Sequence, residues 1–151
     1  MTTDTLEIVN ERLFTAPPAI LFDAFSNPET LARWWGPHGF TNRIDTFDFR
    51  VGGDWLVTMT SSDGTDFANR WTFQDIEPAR RIVALHHEPM HVFTLEMTFE
   101  PADTGSALTW RMLFEPTDEN RELQKFIRAA NEQNFDRLEQ ILAQVRDQGE
   151  P

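Results

Sequence analysis

A chain of 151 residues with 25 acidic against 13 basic side chains, and a formal net charge of −12, argues against binding a nucleic-acid backbone or an anionic membrane surface. It contains no cysteine, which excludes disulfides, thiol catalysis and thiolate metal sites. With 40% hydrophobic and 25% charged residues, no membrane-spanning apolar run and a polar, acidic Met1–Glu7 in place of a leader, it reads as one globular domain over 1–151, expected in the cytoplasm, with a core from about 6 to 146.

Leu6–Phe14 reads as a first strand. Ala16-Pro17-Pro18 punctuates, and Ile20, Leu21, Ala24 and Phe25 follow at helical spacing, since proline is tolerated in the first turn of a helix. Asn27-Pro28 repeats the device ahead of a short helix through Leu31 to Trp34, and Trp35-Gly36-Pro37-His38-Gly39 ends the pair.

From Phe40 to Glu115 the period changes to two. Phe47, Phe49 and Val51 alternate with Thr46, Asp48 and Arg50, predicting a half-buried strand over 46–51. Gly52-Gly53 makes a turn or bulge, and Trp55, Val57 and Met59 carry the alternation on to the hairpin signal Ser62-Asp63-Gly64. Phe67, Trp71 and Phe73 form the next apolar face, and Glu77-Pro78-Ala79-Arg80 turns into Ile82–His87, a run with no clear facing. Phe93, Leu95, Met97 and Phe99 alternate, Asp103-Thr104-Gly105 turns again, and Leu108, Trp110, Met112 and Phe114 complete about seven strands in an antiparallel meander.

Thr117–Arg146 has neither Gly nor Pro, and places Leu123, Phe126, Ile127, Ala130, Leu138, Ile141, Leu142 and Val145 on a helical stripe that Asn134 interrupts. Thr117 suits the N-cap, Asp118 and Glu119 the positive end of the dipole, and Arg146 the negative end. At about 1.5 Å per residue this helix runs roughly 40 Å and needs a broad apolar surface to lie against. One curved sheet, two small helices and one long helix make an α+β layer architecture.

Three motifs in this order resemble a known family. Asn27-Pro28-Glu29-Thr30-Leu31-Ala32-Arg33-Trp34-Trp35-Gly36-Pro37 is similar to its P-E-x-L-x-x-W-W-G-P signature, Arg50-Val51-Gly52-Gly53 to its R-x-G-G turn, and Ile76–Ile82 to its I-x-P-x-R-R-I/L hairpin. The resemblance is to the SRPBCC, or START-like, superfamily with the helix-grip fold of the birch pollen allergen, in the branch named after the activator of the heat-shock protein 90 ATPase. It covers Leu6 to about Val145 and implies a sheet wrapped around the C-terminal helix with a largely apolar cavity between them. Many members bind hydrophobic small molecules or lipids, and some are cyclases or aromatases.

The residues point to the same cavity. Met and large aromatics on an inner sheet face accept varied apolar partners, although such residues more often fill core. The candidate lining is Trp55, Met59, Trp71, Phe73, Phe93, Met97, Trp110 and Met112 from the strands, Phe126, Ala130 and Asn134 from the long helix, and Trp34 and His38 from the loop signature. For Trp34 and Trp35 the favoured reading is a plug fixing the helix pair to the sheet. Asn134 must find a partner or pay desolvation, whether from a ligand, a strand carbonyl or a trapped water.

His87-Glu88-Pro89-Met90-His91 spells the zinc-protease pattern H-E-x-x-H, but that chemistry needs both histidines on one helical face. Pro89 and the flanking strand periodicity oppose it, so the segment reads as a hairpin loop with solvated histidines, with at most a weak metal contact from His86, His87 and His91. No phosphate-cradling glycine loop or nucleophile elbow is present. No catalytic set, metal or cofactor is therefore expected.

Three functions fit, in this order: binding of a small hydrophobic molecule (lipid, polyketide-like or aromatic) without catalysis; a cyclase, aromatase or hydrolase using His38, His86 or Glu88; and a co-chaperone. The eukaryotic activator has an additional N-terminal domain for which this chain has no room, which sets the last lowest. A homodimer through an edge strand or an exposed aromatic patch is compatible with the pattern.

Overall fold

A computed structural model describes residues 5–149, with side-chain surroundings through residue 144, so the expected roles of Val145 and Arg146 lie outside the described residues. The elements follow as β1 (Leu6–Phe14), α1 (Pro18–Ser26), α2 (Pro28–Trp34), β2 (Thr41–Phe47), β3 (Asp54–Thr60), β4 (Asp66–Glu77), β5 (Arg81–Glu88), β6 (Phe93–Ala102), β7 (Gly105–Phe114) and α3 (Asp118–Gly149). The seven strands form one antiparallel sheet in the order β1-β7-β6-β5-β4-β3-β2. The chain thus descends strand by strand from β2, and β1 closes beside β7 at the far edge. The first two helices carry the chain from one sheet edge to the other. This is the α+β helix-grip architecture.

Local chemistry explains the helix ends. The Asn27 side chain accepts from the Glu29 amide at 3.1 Å, capping α2 ahead of Pro28. Thr117 Oγ1 accepts from the Asn120 amide at 3.1 Å and caps α3. The sheet bends where registers shift, between Ile44 and Thr46, Arg70 and Trp71, and Phe73 and Asp75.

One strand differs from its pattern. β2 ends at Phe47, and 48–53 is a tight turn rather than a strand over 46–51. Its amides bond locally, Arg50 to the Asp48 carbonyl and Gly53 to the Arg50 carbonyl, both at 2.8 Å. A Cβ at Gly53 would lie 2.0 Å from the Asp48 carbonyl oxygen, so the turn admits glycine alone there. Phe49 still reaches the core by stacking on Phe47 with ring centres 5.5 Å apart.

The long helix also departs from its stripe. Phe126 is 75% exposed, whereas Phe135, outside the expected stripe, is fully buried against Phe14 and Trp110. At 100° per residue the residues buried on α3 centre near Leu138, and Phe126 falls about 120° away. The same helix is clasped to β1 by Arg12, whose guanidinium donates to Asp136 and Glu132 at 2.8 Å and to Glu139 at 3.0 Å. Burial opposes that charge, but the hydrogen bonds to Glu132, Asp136 and Glu139 outweigh it and hold the guanidinium pKa above its ordinary value.

Candidate functional site

The space between sheet and helix is unequally filled. Toward α1 and the 48–53 turn, Phe25, Phe47, Trp55, Phe73, Ile82 and Met97 close on a void of about 10 Å³, too small to hold more than a single water. Toward the β5–β6 turn, a cavity of about 320 Å³ lies between α3 and strands β3 to β7. That is the lower end of the range for small-molecule sites.

Strand register builds the sheet wall. Trp55 pairs with Trp71, Trp71 with His86, and His86 with Phe93 across four strands. Their rings form a row that continues to Phe114 on β7, with successive centres 5.2, 4.7, 4.6 and 4.8 Å apart. Trp71, His86 and Phe93 of this row face the cavity together with Met59, Phe67, Asn69, Leu95, Trp110 and Met112. Ile127, Ala130, Asn131 and Asn134, spaced three, one and three residues apart, form the helix wall.

The third side is the loop after α2, where Trp35, Gly36, Pro37 and Phe40 form a lip. Arg137 on α3 holds it by donating to the carbonyls of Trp35 at 2.9 Å, Gly36 and Pro37 at 3.0 Å, and Arg33 at 3.2 Å. Burial lowers the pKa of this guanidinium. Gly36 has φ of +93°, and a Cβ there would meet Met59 Cε at 2.7 Å, so glycine lets the lip close over Met59. Trp35 is the hub of the interior, with ring centres 5.6 Å from Trp34, 4.9 Å from Trp55, 5.9 Å from Trp71 and 5.5 Å from Trp110.

The polar groups of the lining are amides and imidazoles: Asn69, Asn131, Asn134, His86 and His91. His86 is 4% exposed, and burial lowers its pKa. Its Nδ1 lies 2.8 Å from the His91 carbonyl, and its Nε2 lies 2.8 Å from Asn69 Oδ1. A neutral imidazole has one N–H, so it satisfies only one of these two oxygens unless the Asn69 amide turns and gives up its 3.0 Å bond to the Phe67 carbonyl. Asn131 donates to Asn10 Oδ1 at 3.0 Å, whereas Asn134 Oδ1 and His91 Nε2 are buried without a hydrogen-bond partner. Among the described residues no group of three or more metal-ligating side chains is placed to hold an ion.

The model of the family described as activator of Hsp90 ATPase homolog 1-like protein matches residues 15–143. The chain belongs to this family. Solved structures share the fold: a Chromobacterium violaceum protein is 23% identical, with a TM-score of 0.76 over 90% of this chain and 96% of its own. A Nitrosomonas europaea protein is 21% identical, with a TM-score of 0.80 over 93% and 96%. A Staphylococcus epidermidis protein reaches a TM-score of 0.82 at 17% identity over 96% and 95%. A comparison with curated proteins finds no match.

Of the residues expected at a ligand site, Met59, Trp71, Phe93, Trp110, Met112, Ala130 and Asn134 line this cavity. Trp55, Phe73 and Met97 instead belong to the filled end. Trp34 is fully buried beneath the lip, donating its indole N–H to the Ala24 carbonyl at 3.0 Å, so it acts as the plug. His38 lies outside the cavity lining, its side chain 57% exposed and 3.8 Å from Asp136. Phe126 is exposed beside the lining residue Ile127.

The loop histidines are not solvated, contrary to expectation. β5 runs on through Glu88, which turns His86 inward, and His91 folds back over the cavity. His87 contacts Thr72 Oγ1 at 2.8 Å, and Glu88 pairs with Arg70 at 2.9 Å. Of the catalytic candidates, only His86 reaches the cavity. Sequence reasoning missed Phe40, Phe67, Asn69, His86 and Asn131 as lining. Phe67 and Asn69 were readable from their period-two spacing with Trp71, and Asn131 from its i, i+3 spacing with Asn134.

Proposed function

We propose that the protein binds a small hydrophobic molecule between α3 and the sheet without transforming it. The observation that carries this reading is the cavity of about 320 Å³, whose lining is almost wholly apolar and aromatic, beside an otherwise filled core. Its surroundings favour an apolar guest. Met90, at the cavity, and Val92 and Phe126, each adjoining a lining residue in sequence, are 83%, 62% and 75% exposed. Covering exposed apolar groups at such a site adds to the favourable transfer of an apolar molecule out of water. Both ring nitrogens of His86 already face protein groups, which suits a structural rung better than a free proton acceptor.

Native mass spectrometry of the purified protein against its denatured mass tests this, followed by a hydrophobic library scored by thermal stabilisation. The expected result is a reproducible adduct or a stabilising compound, lost in Ala130→Trp with the unfolding midpoint changed by no more than a few degrees. Ala130 faces the open cavity, so an indole there fills space without displacing the sheet. A bare protein that no library member stabilises would overturn the proposal and turn the search to protein partners, the chaperone named in the family's description first among them.

A further inference from the structure

We infer that the cavity selects uncharged aromatic molecules over anionic ones of the same ring system. This inference rests on the binding reading above and adds the charge class of the ligand.

No Asp, Glu, Lys or Arg is among the residues that line the cavity. An anion seated there would lose its water without gaining a cationic partner, and an unpaired buried charge is among the most costly groups a protein can hold. Arg137, the cation that braces the lip, is already committed to the backbone carbonyls of Arg33, Trp35, Gly36 and Pro37. The imidazole of His86 is held toward its neutral form by burial and is enclosed by Asn69 and the His91 carbonyl.

The available polar groups carry no fixed charge. The unpartnered groups at the site are the Asn134 amide, whose oxygen repels an anionic oxygen and whose nitrogen is a single neutral donor group, and the buried Nε2 of His91. The indole N–H groups of Trp71 and Trp110 also lack acceptors, and they lie buried within the ring cluster. Uncharged donors of this kind do not offset the desolvation of a full charge. The chain's net charge of −12 adds a long-range term of the same sign. Six rings, those of Trp35, Phe40, Phe67, Trp71, Phe93 and Trp110, offer stacking and edge contacts to an aromatic guest instead.

The test compares N-phenylnaphthylamine with anilinonaphthalenesulfonate by equilibrium dialysis against the wild-type protein and Ala130→Trp. The two probes share one ring system and differ by a sulfonate. We expect the uncharged probe to bind, the sulfonate to bind at least about tenfold more weakly, and Ala130→Trp to lose both. Equal or tighter binding of the sulfonate, lost in Ala130→Trp, would overturn the charge selection and leave the cavity reading intact. Binding of neither probe would overturn both. A second variant, Asn134→Lys, places a cation on the helix wall and is expected to raise sulfonate affinity at least about tenfold. A folded Asn134→Lys with unchanged sulfonate affinity would also sink the inference.

Discussion

His86 shows how one side chain couples the cavity to solution pH. The folded protein holds it below its ordinary value of 6.5, chiefly through burial. The unfolded chain therefore binds the proton more readily, and stability falls as pH drops below about 6.5, the unfolded value, until the folded value is passed. Replacing His86 with Gln keeps an amide near Asn69 and the His91 carbonyl while removing the titration. Urea unfolding of wild type between pH 7.5 and pH 5 is expected to show falling stability, and His86→Gln a flatter profile until carboxylates titrate near about pH 4. Equal slopes in the two proteins would refute this assignment. At this scale the sequence was least informative. Ile82, Val83 and Ala84 are all buried, so the run leading to His86 lacks the alternation that would have shown which way the ring faces.

Among elements, the lip after α2 depends on one residue of another element. Arg137 donates to three of its carbonyls and to that of Arg33 in α2, and a lysine, with a compact head group, does not reproduce that planar fork. Arg137→Ala and Arg137→Lys are both expected to speed amide exchange in residues 35–40 and to accelerate release of a bound guest roughly tenfold or more, with the smaller effect in Lys. Unchanged exchange in Arg137→Ala would show that the lip is held by its other contacts. Elements whose signals are local were legible. The capped starts of α2 and α3 and the alternating β6 and β7 lie where the sequence placed them. The strand expected over 46–51 failed because Phe49, already inside the 48–53 turn, stacks on Phe47 at the end of β2 and faces the core with it, an alternation with the same outward form as in a strand.

For the whole molecule, the decisive contact is between the two ends of the chain. Arg12 on β1 gathers Glu132, Asp136 and Glu139 on α3, and its guanidinium lies 5.4 Å from the Phe135 ring centre. Arg12→Met keeps the stem but leaves three half-exposed carboxylates facing one another. Screened as they are, the expected loss is about 1–2 kcal/mol, readable by urea unfolding and partly recovered in high salt. No recovery in salt would assign the loss to packing. The helix-grip plan followed from element order, and whether Trp55 or Trp71 meets a ligand did not. Both sit on the inner face of neighbouring strands and pair directly. The helix pair and the 48–53 turn fill the space at Trp55, whereas α3, placed by contacts such as Arg12 and Arg137 that span about a hundred residues, leaves it open at Trp71.

The tryptophan hub has an optical consequence. The chain has five tryptophans and no tyrosine, and Trp35 touches the other four. The indole transitions are therefore coupled as one exciton system, and excitation entering any ring migrates among all of them before emission. Three of those rings border the cavity. Near-ultraviolet circular dichroism and emission wavelength thus report on a single place in the molecule, and a guest in contact with Trp35, Trp71 or Trp110 perturbs the signal of the entire set.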